Sequence, residues 1–498
     1  MTEACSAFKG GQSFKLKVTS TYKKHNELYP NKPAIITEQK HLTYGEWYES
    51  VQRTAAAFSM EAGTTRRVAL FLPNDDVFLQ VFAGACEAGW ASIIGDMRWK
   101  KREIEARLKQ TSPDFIIADK KMRKILADFP IKVVFSDDLA QWVNSKSLQK
   151  ADLEENVPFY IGFTSGSTGM PKAFVRSHAS WIETFTCNRE DLGVNGSEHV
   201  LIPGSFVNST FLYGAISTLF DGGTVYLLKK FNAQYLMRTI DIYPISTVYV
   251  VPTMIQAMIN EGYQSDRKVT IISTGAKLLP SVKKAFRKQF PSVLIHEFYG
   301  ASELSFVSLI KDDANEKYDT SVGKAFHNVE ICIMKEDGKK AEVGEEGILY
   351  VISNMFFDGY IDNPGETKKV LQGDWATVYD VAKMDEDGYI YILGRKNDMI
   401  LYGAYNIYPQ EIEKMLKSHL GVKEAAVIGI SDVYWGEKVA AFIQGDLSIQ
   451  SLKNYCLKNL AAYKIPRIWR KIDSFPETAG GKVSRQELKK RFEQGFYV

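Results

Sequence analysis

FTSGSTGMPKAF (Phe163–Phe174) sets four hydroxyls, Thr164, Ser165, Ser167 and Thr168, among Gly166 and Gly169, and closes on Lys172. Glycines let backbone N–H groups approach an anion closely, hydroxyls add donors, and a lysine adds a point charge. The spacing is not that of the Walker A loop, because only Met170 and Pro171 separate Gly169 from Lys172. The flanks, VPFYIGF before and KAFVRSH after, are both rich in β-formers, so the order predicted is strand, loop, strand. Taken alone, the stretch fits a phosphate cradle and a plain Ser/Gly hairpin turn equally well.

Outward from this loop, the runs RRVALFLP, DFIIAD, IKVVFS, TVYLLK, STVYVVP and VTIIST alternate with helical patterns. Among these, TYGEWYESVQRTAAAFSMEAG opens on a Thr43 cap with Glu46 three residues on, and KREIEARLKQTSP follows the same period. Alternation of this kind predicts layered α/β structure with mainly parallel sheets. From about Ser321 to Ile392 the texture turns to short strands punctuated by EDGK, GEEG and DEDG, which predicts a small β-barrel-like part. After GRKNDMI it becomes α+β, with helices at YPQEIEKMLKSHL and SIQSLKNYCLKNL and strands at KEAAVIGIS and EKVAAFIQG. The expected division is a large N-terminal domain, 1–396, and a small mobile C-terminal domain, 397–498.

The net charge of +3 is spread along the chain without a long basic run, which argues against nucleic acid and anionic membranes as partners. No stretch reaches the ~18 apolar residues of a membrane span, and the N-terminal residues lack an apolar leader; a cytoplasmic location is expected. Cys5, Cys86, Cys187, Cys332 and Cys456 are far apart and include no CxxC, so they read as reduced thiols.

Six motifs then fall in one order: TSGSTGMPK, STGAKL (273–278), YGASE (299–303), DVAKMDEDGYIYILGRKNDMI (380–400), YPQEIE (408–413) and PETAGGKVSR (476–485). Together they resemble the adenylate-forming superfamily of acyl-CoA synthetases, peptide-synthetase adenylation domains and luciferases, over about Tyr29 to Leu488. The resemblance implies that a carboxylate attacks the α-phosphate of ATP, giving acyl-adenylate and pyrophosphate, and that a thiol then displaces AMP. A carboxylate is already ionised at neutral pH, so the first step asks for orientation and charge neutralisation, not a general base.

By the same resemblance, Thr164, Ser165, Gly166, Ser167, Thr168, Gly169 and Lys172 would cradle the β- and γ-phosphates, and Glu303 would help hold Mg2+, a cation that prefers oxygen ligands. Gly275, Ala276, Lys277, Glu297, Tyr299, Gly300, Ala301 and Ser302 would surround the adenine and α-phosphate. Asp380 and Arg395 would take the ribose hydroxyls, although Val378-Tyr379 stands where Thr-Gly is usual. Lys482 would bridge carboxylate and α-phosphate, and Thr164 and Glu303 would be further catalytic groups. Asn397 falls at the hinge about which the small domain rotates between the two steps. Gly403, Ala404, Tyr405, Trp435 and Gly436 would line the channel for the pantetheine arm of CoA.

Phe206, Asn208, Phe211 and Leu212 are the candidate walls of the acyl site. SFVNSTFLYGA offers no aspartate for an α-ammonium group, which argues against amino acids and for an apolar acid, with medium- or long-chain fatty acids first. Three alternatives remain: another acid such as o-succinylbenzoate, a carrier-protein thiol as acceptor, and a non-catalytic nucleotide-binding paralogue.

Overall fold

The computed structural model describes residues 16–144, 157–164, 171–311, 316–402, 405–432, 436–460, 462–478 and 482–497. The chain forms two compact units. One comprises 1–164, 172–330 and 351–376; the other comprises 165–171, 331–350 and 377–498.

In the first unit, six parallel neighbours form the body of one sheet: Leu294–Ala301, Thr270–Ser273, Thr247–Val250, His199–Ile202, Thr224–Leu227 and Pro33–Ile36. Antiparallel strands flank it, Ser305–Ile310 and then Lys324–Ala325 on one side and His41–Thr43 on the other. Thr247–Val250 and Thr224–Leu227 are buried at every position. That is why they read as unbroken β-branched and aromatic runs with no polar alternation: helices cover both faces. A second sheet carries Pro158–Thr164, Ala91–Ile94, Arg67–Phe71, Phe115–Ala118 and Lys132–Phe135 in parallel. Helix Tyr44–Ser59 starts at the expected cap: Thr43 accepts from the Glu46 N–H, and the Glu46 carboxylate accepts from the Thr43 N–H.

Pro158–Thr164 and Lys172–Ser177 pair antiparallel, closing at Thr164 opposite Lys172, so the opening loop is the predicted strand–loop–strand hairpin. Ser165, Gly166, Ser167, Thr168 and Gly169 lie outside the described residues.

Gly347–Ile352, whose residues up to Tyr350 belong to the second unit, pairs antiparallel with Asp380–Met384, which pairs antiparallel with Ile390–Arg395, where the barrel-like part was expected. The C-terminal α+β pattern follows as read: helix Pro409–Lys417, the long pair Val422–Asp432 and Gly436–Gly445, and helix Ile449–Asn459. Asn397 sits inside this unit, in the 3-10 turn Lys396–Asp398. Among the described residues, no helix is long and apolar enough to cross a membrane, and Cys86, Cys187, Cys332 and Cys456 are buried free thiols.

Candidate active site

Parallel sheets offer ligands the carboxyl ends of their strands. Several of the candidate segments stand there. Gly275, Ala276 and Lys277 follow Thr270–Ser273, Tyr299 to Ala301 end Leu294–Ala301 with Ser302 next, and Phe206 follows His199–Ile202. Gly275 takes φ +92, a left-handed turn that suits glycine, and leaves itself and Ala276 exposed. A Cβ at Gly300 would lie 2.0 Å from the Ser305 carbonyl oxygen, so only glycine allows the hairpin to close this tightly.

Glu297 is buried and its carboxylate is taken up by protein donors: Lys277 Nζ at 2.8 Å, the Leu278 N–H at 2.9 Å and Lys283 Nζ at 2.6 Å. It fastens the turn after Ser273 to the neighbouring strand. Burial, partly offset by Glu297, lowers the Lys277 ammonium to about 8.

Lys172 and Glu303 belong to one side-chain network. Lys172 forms an ion pair with Glu366 and stands 5.2 Å from the centre of the Tyr360 ring. The Tyr360 hydroxyl donates to Glu303 Oε1 at 2.6 Å. Hydrogen bonds from Lys172 and Lys369 hold the Glu366 carboxyl down at about 2. Behind them, Arg176 is buried and donates to the carbonyls of Met355 (2.8 Å), Ser180 (3.3 Å) and Ser302 (3.4 Å). Burial pushes its guanidinium down to about 10. It ties the turn that carries Ser302 and Glu303 to the helix His178–Glu190. The sequence reading passed over Arg176, Tyr360 and Glu366.

Three of the acyl candidates, Phe206, Phe211 and Leu212, are apolar and buried, while Asn208 is polar and half-buried. Phe206 packs on Phe78 with ring centres 5.0 Å apart, and Leu212 is fully buried. Phe211 fills the space beside Gly204, where a Cβ would lie 2.1 Å from its ring. Asn208 is the N-cap of helix Ser209–Asp221, its Oδ1 accepting from the Thr210 N–H at 3.0 Å. Leu304 and Phe306 are buried as well.

The second unit holds the other charged group. Asp380 is buried and accepts from Arg395 Nε at 3.0 Å across the strand pair. Lys482 closes a turn: the Thr478 N–H donates to the Lys482 carbonyl at 2.7 Å, and the Lys482 N–H donates to Thr478 Oγ1 at 3.3 Å. The residue exposes surface to solvent, but protein surrounds its ammonium on enough sides that desolvation is the largest influence on it. That, with repulsion from Arg395, lowers its pKa, while Asp380 opposes the shift. Lys482 thus lies within electrostatic reach of the Asp380–Arg395 pair.

Tyr379, directly before Asp380, has φ +61. The chain takes the left-handed turn that glycine usually makes here, but with a tyrosine in it. For a residue with a Cβ that conformation costs about 1–2 kcal/mol. Tyr379→Gly is expected to stabilise the protein by about 1 kcal/mol, read as a rise in melting temperature; an unchanged or lower value would show that the tyrosine ring's packing offsets the strain.

Residues 22–361 match the AMP-binding enzyme family, and residues 411–482 match its C-terminal domain. The chain belongs to the AMP-binding enzyme family. It thereby falls in the adenylate-forming superfamily. Among relatives, it is 41% identical to the acyl-CoA ligase YhfT of Bacillus subtilis, itself uncharacterized, over 96% of this chain and 99% of that one. VraA of Staphylococcus epidermidis, provisionally named a long chain fatty acid-CoA ligase, is 30% identical over 94% and 96% of the two chains. The o-succinylbenzoate CoA synthetase of Bacillus subtilis, solved with its acyl-adenylate, has the same fold: TM-score 0.86 at 23% identity, covering 94% of this chain and 97% of that one. Gly403, Ala404 and Trp435 lie outside the described residues, as do the side-chain surroundings of Tyr405 and Asn397; Gly436 opens the strand Gly436–Gly445.

Proposed function

We propose that this AMP-binding enzyme is an acid–CoA ligase acting on an apolar carboxylic acid through an acyl-adenylate. The observation that carries the reading is the Asp380–Arg395 pair, with Lys482 within electrostatic reach of it. A cation suited to a developing pentavalent phosphate is within electrostatic reach of a carboxylate suited to the ribose hydroxyls. In the first step a carboxylate oxygen bonds to the α-phosphorus and the bond to the β-phosphate oxygen breaks, releasing pyrophosphate. Lys172 and the opening loop would receive that leaving group, and Glu303 would hold Mg2+, which would supply charge neutralisation at the phosphate oxygens. In the second step the CoA sulfur, its proton lost, bonds to the acyl carbon, and AMP leaves with the bridging oxygen. The relative at 41% identity, named an acyl-CoA ligase, supports CoA as the acceptor over a carrier-protein thiol.

Named relatives divide over the acid, between long chain fatty acids and 2-succinylbenzoate. The buried, apolar set of Phe206, Phe211, Leu212, Leu304 and Phe306 supports a fatty acid, since it offers no cation for a second carboxylate. Pyrophosphate release over a panel of acids, with and without CoA, tests the assignment. If no acid elicits ATP-dependent release, the enzyme reading fails; CoA-independent turnover with a carrier protein would replace the acceptor.

Each methylene removed from water is worth about 0.8 kcal/mol, so each two-carbon step should raise kcat/KM roughly tenfold until the site is full. Phe211→Ala opens the space beside Gly204 and should move the break in this series to longer acids. Lower stability with an unmoved break would make Phe211 a core residue only. A preference for an aryl or dicarboxylic acid over every straight-chain acid would overturn the fatty-acid assignment and leave adenylation standing.

A further inference from the structure

We propose that Tyr360 is a positioning residue for adenylate formation, placing the Lys172 ammonium against its ring face and the Glu303 carboxylate on its hydroxyl. The proposal rests on the reading that these two groups attend the phosphates and Mg2+. One side chain then fixes the separation between the cation that meets the leaving group and the carboxylate that meets the metal.

The ring is itself well held. Gly359–Tyr360 pairs with Lys172–Ser177, Tyr360 opposite Phe174, so Tyr360 and Lys172 share one sheet edge. Phe357 packs edge-on at 4.9 Å, and the Tyr360 N–H donates to Thr367 Oγ1 at 2.9 Å. Thr367 lies on the helix Pro364–Val370, which also presents Glu366 to Lys172. The same segment grips Glu303 twice. The Phe357 N–H donates to the Glu303 carbonyl at 3.0 Å, and the Tyr360 hydroxyl donates to its carboxylate. A carboxylate has about four lone-pair directions, so one hydroxyl donor orients it and leaves acceptor capacity for a hard cation. A buried glutamate without that donor would lose both its orientation and part of its compensation for burial.

Two substitutions separate the two roles. Tyr360→Phe keeps the ring and removes the hydroxyl; Tyr360→Leu removes both. For Tyr360→Phe, the Mg2+ concentration giving half-maximal pyrophosphate release should rise about tenfold, with KM for ATP at saturating Mg2+ nearly unchanged. For Tyr360→Leu, KM for ATP should rise as well, about threefold. Thioester formation from supplied acyl-adenylate should keep its rate in both. Glu303→Gln is the control for the underlying reading. If it shifts the Mg2+ requirement and Tyr360→Phe does not, the proposal is overturned while the site reading stands. If Glu303→Gln leaves the Mg2+ requirement alone, the metal role of Glu303 fails and the proposal with it. Tyr360→Leu behaving like Tyr360→Phe overturns the ring's part, and equal loss in both half-reactions with a lowered melting temperature reduces Tyr360 to packing.

Discussion

Lys482→Ala is expected to slow adenylate formation about a thousandfold, while thioester formation from supplied acyl-adenylate keeps its rate. The lysine is tied to Thr478 by two hydrogen bonds and stands within electrostatic reach of Asp380 and Arg395. A fixed cation there acts on charge that develops only in the transition state of the first step. Its removal therefore lowers the rate of that step more than the affinity for ATP. Its lowered pKa adds a pH signature. As pH rises through that lowered value the ammonium loses its proton, so adenylation should fall off while thioester formation continues. Single-turnover assays of the two half-reactions decide the matter; equal loss in both would remove the division of labour between them.

Asn397→Pro is expected to slow thioester formation about tenfold or more, with adenylation largely preserved. The reading behind it is that the small domain turns about Asn397 between steps, which would withdraw Lys482 from Asp380 and Arg395 and admit the thiol. Asn397 lies in the 3-10 turn Lys396–Asp398, where φ near −60° is normal and proline fits. The substitution thus favours the backbone conformation of this turn and penalises any rotation that needs a different φ at residue 397. Unchanged rates in both half-reactions would put the pivot elsewhere, and loss of adenylation alone would mean that this turn conformation is not the adenylating one.

Much of the candidate site was legible because it is local. The hairpin around the opening loop, the Thr43–Glu46 capping box and the glycine at 300 each follow from residues within a few positions of one another. Val378-Tyr379 was legible as a departure from the usual Thr-Gly. Only the backbone showed that the turn is kept, at φ +61, with a side chain where glycine is customary. Arg176, Tyr360 and Glu366 were not legible. Tyr360 meets Glu303 across 57 positions and Glu366 meets Lys172 across 194. In sequence, an arginine in a strand or a glutamate after a proline looks like a solvated charge.

By itself the sequence determined the order of strands and helices, the two kinds of sheet texture and the motifs that mark adenylate chemistry. These depend on periodicity, capping and turn residues, whose physics is short-ranged. Only the tertiary structure decided which charges are paired. Glu297 went to Lys277 and Lys283, Glu303 to Tyr360, and Asp380 to Arg395 with Lys482 close by. Pairing of buried charges is set by desolvation, which a group feels only once the chain around it has closed.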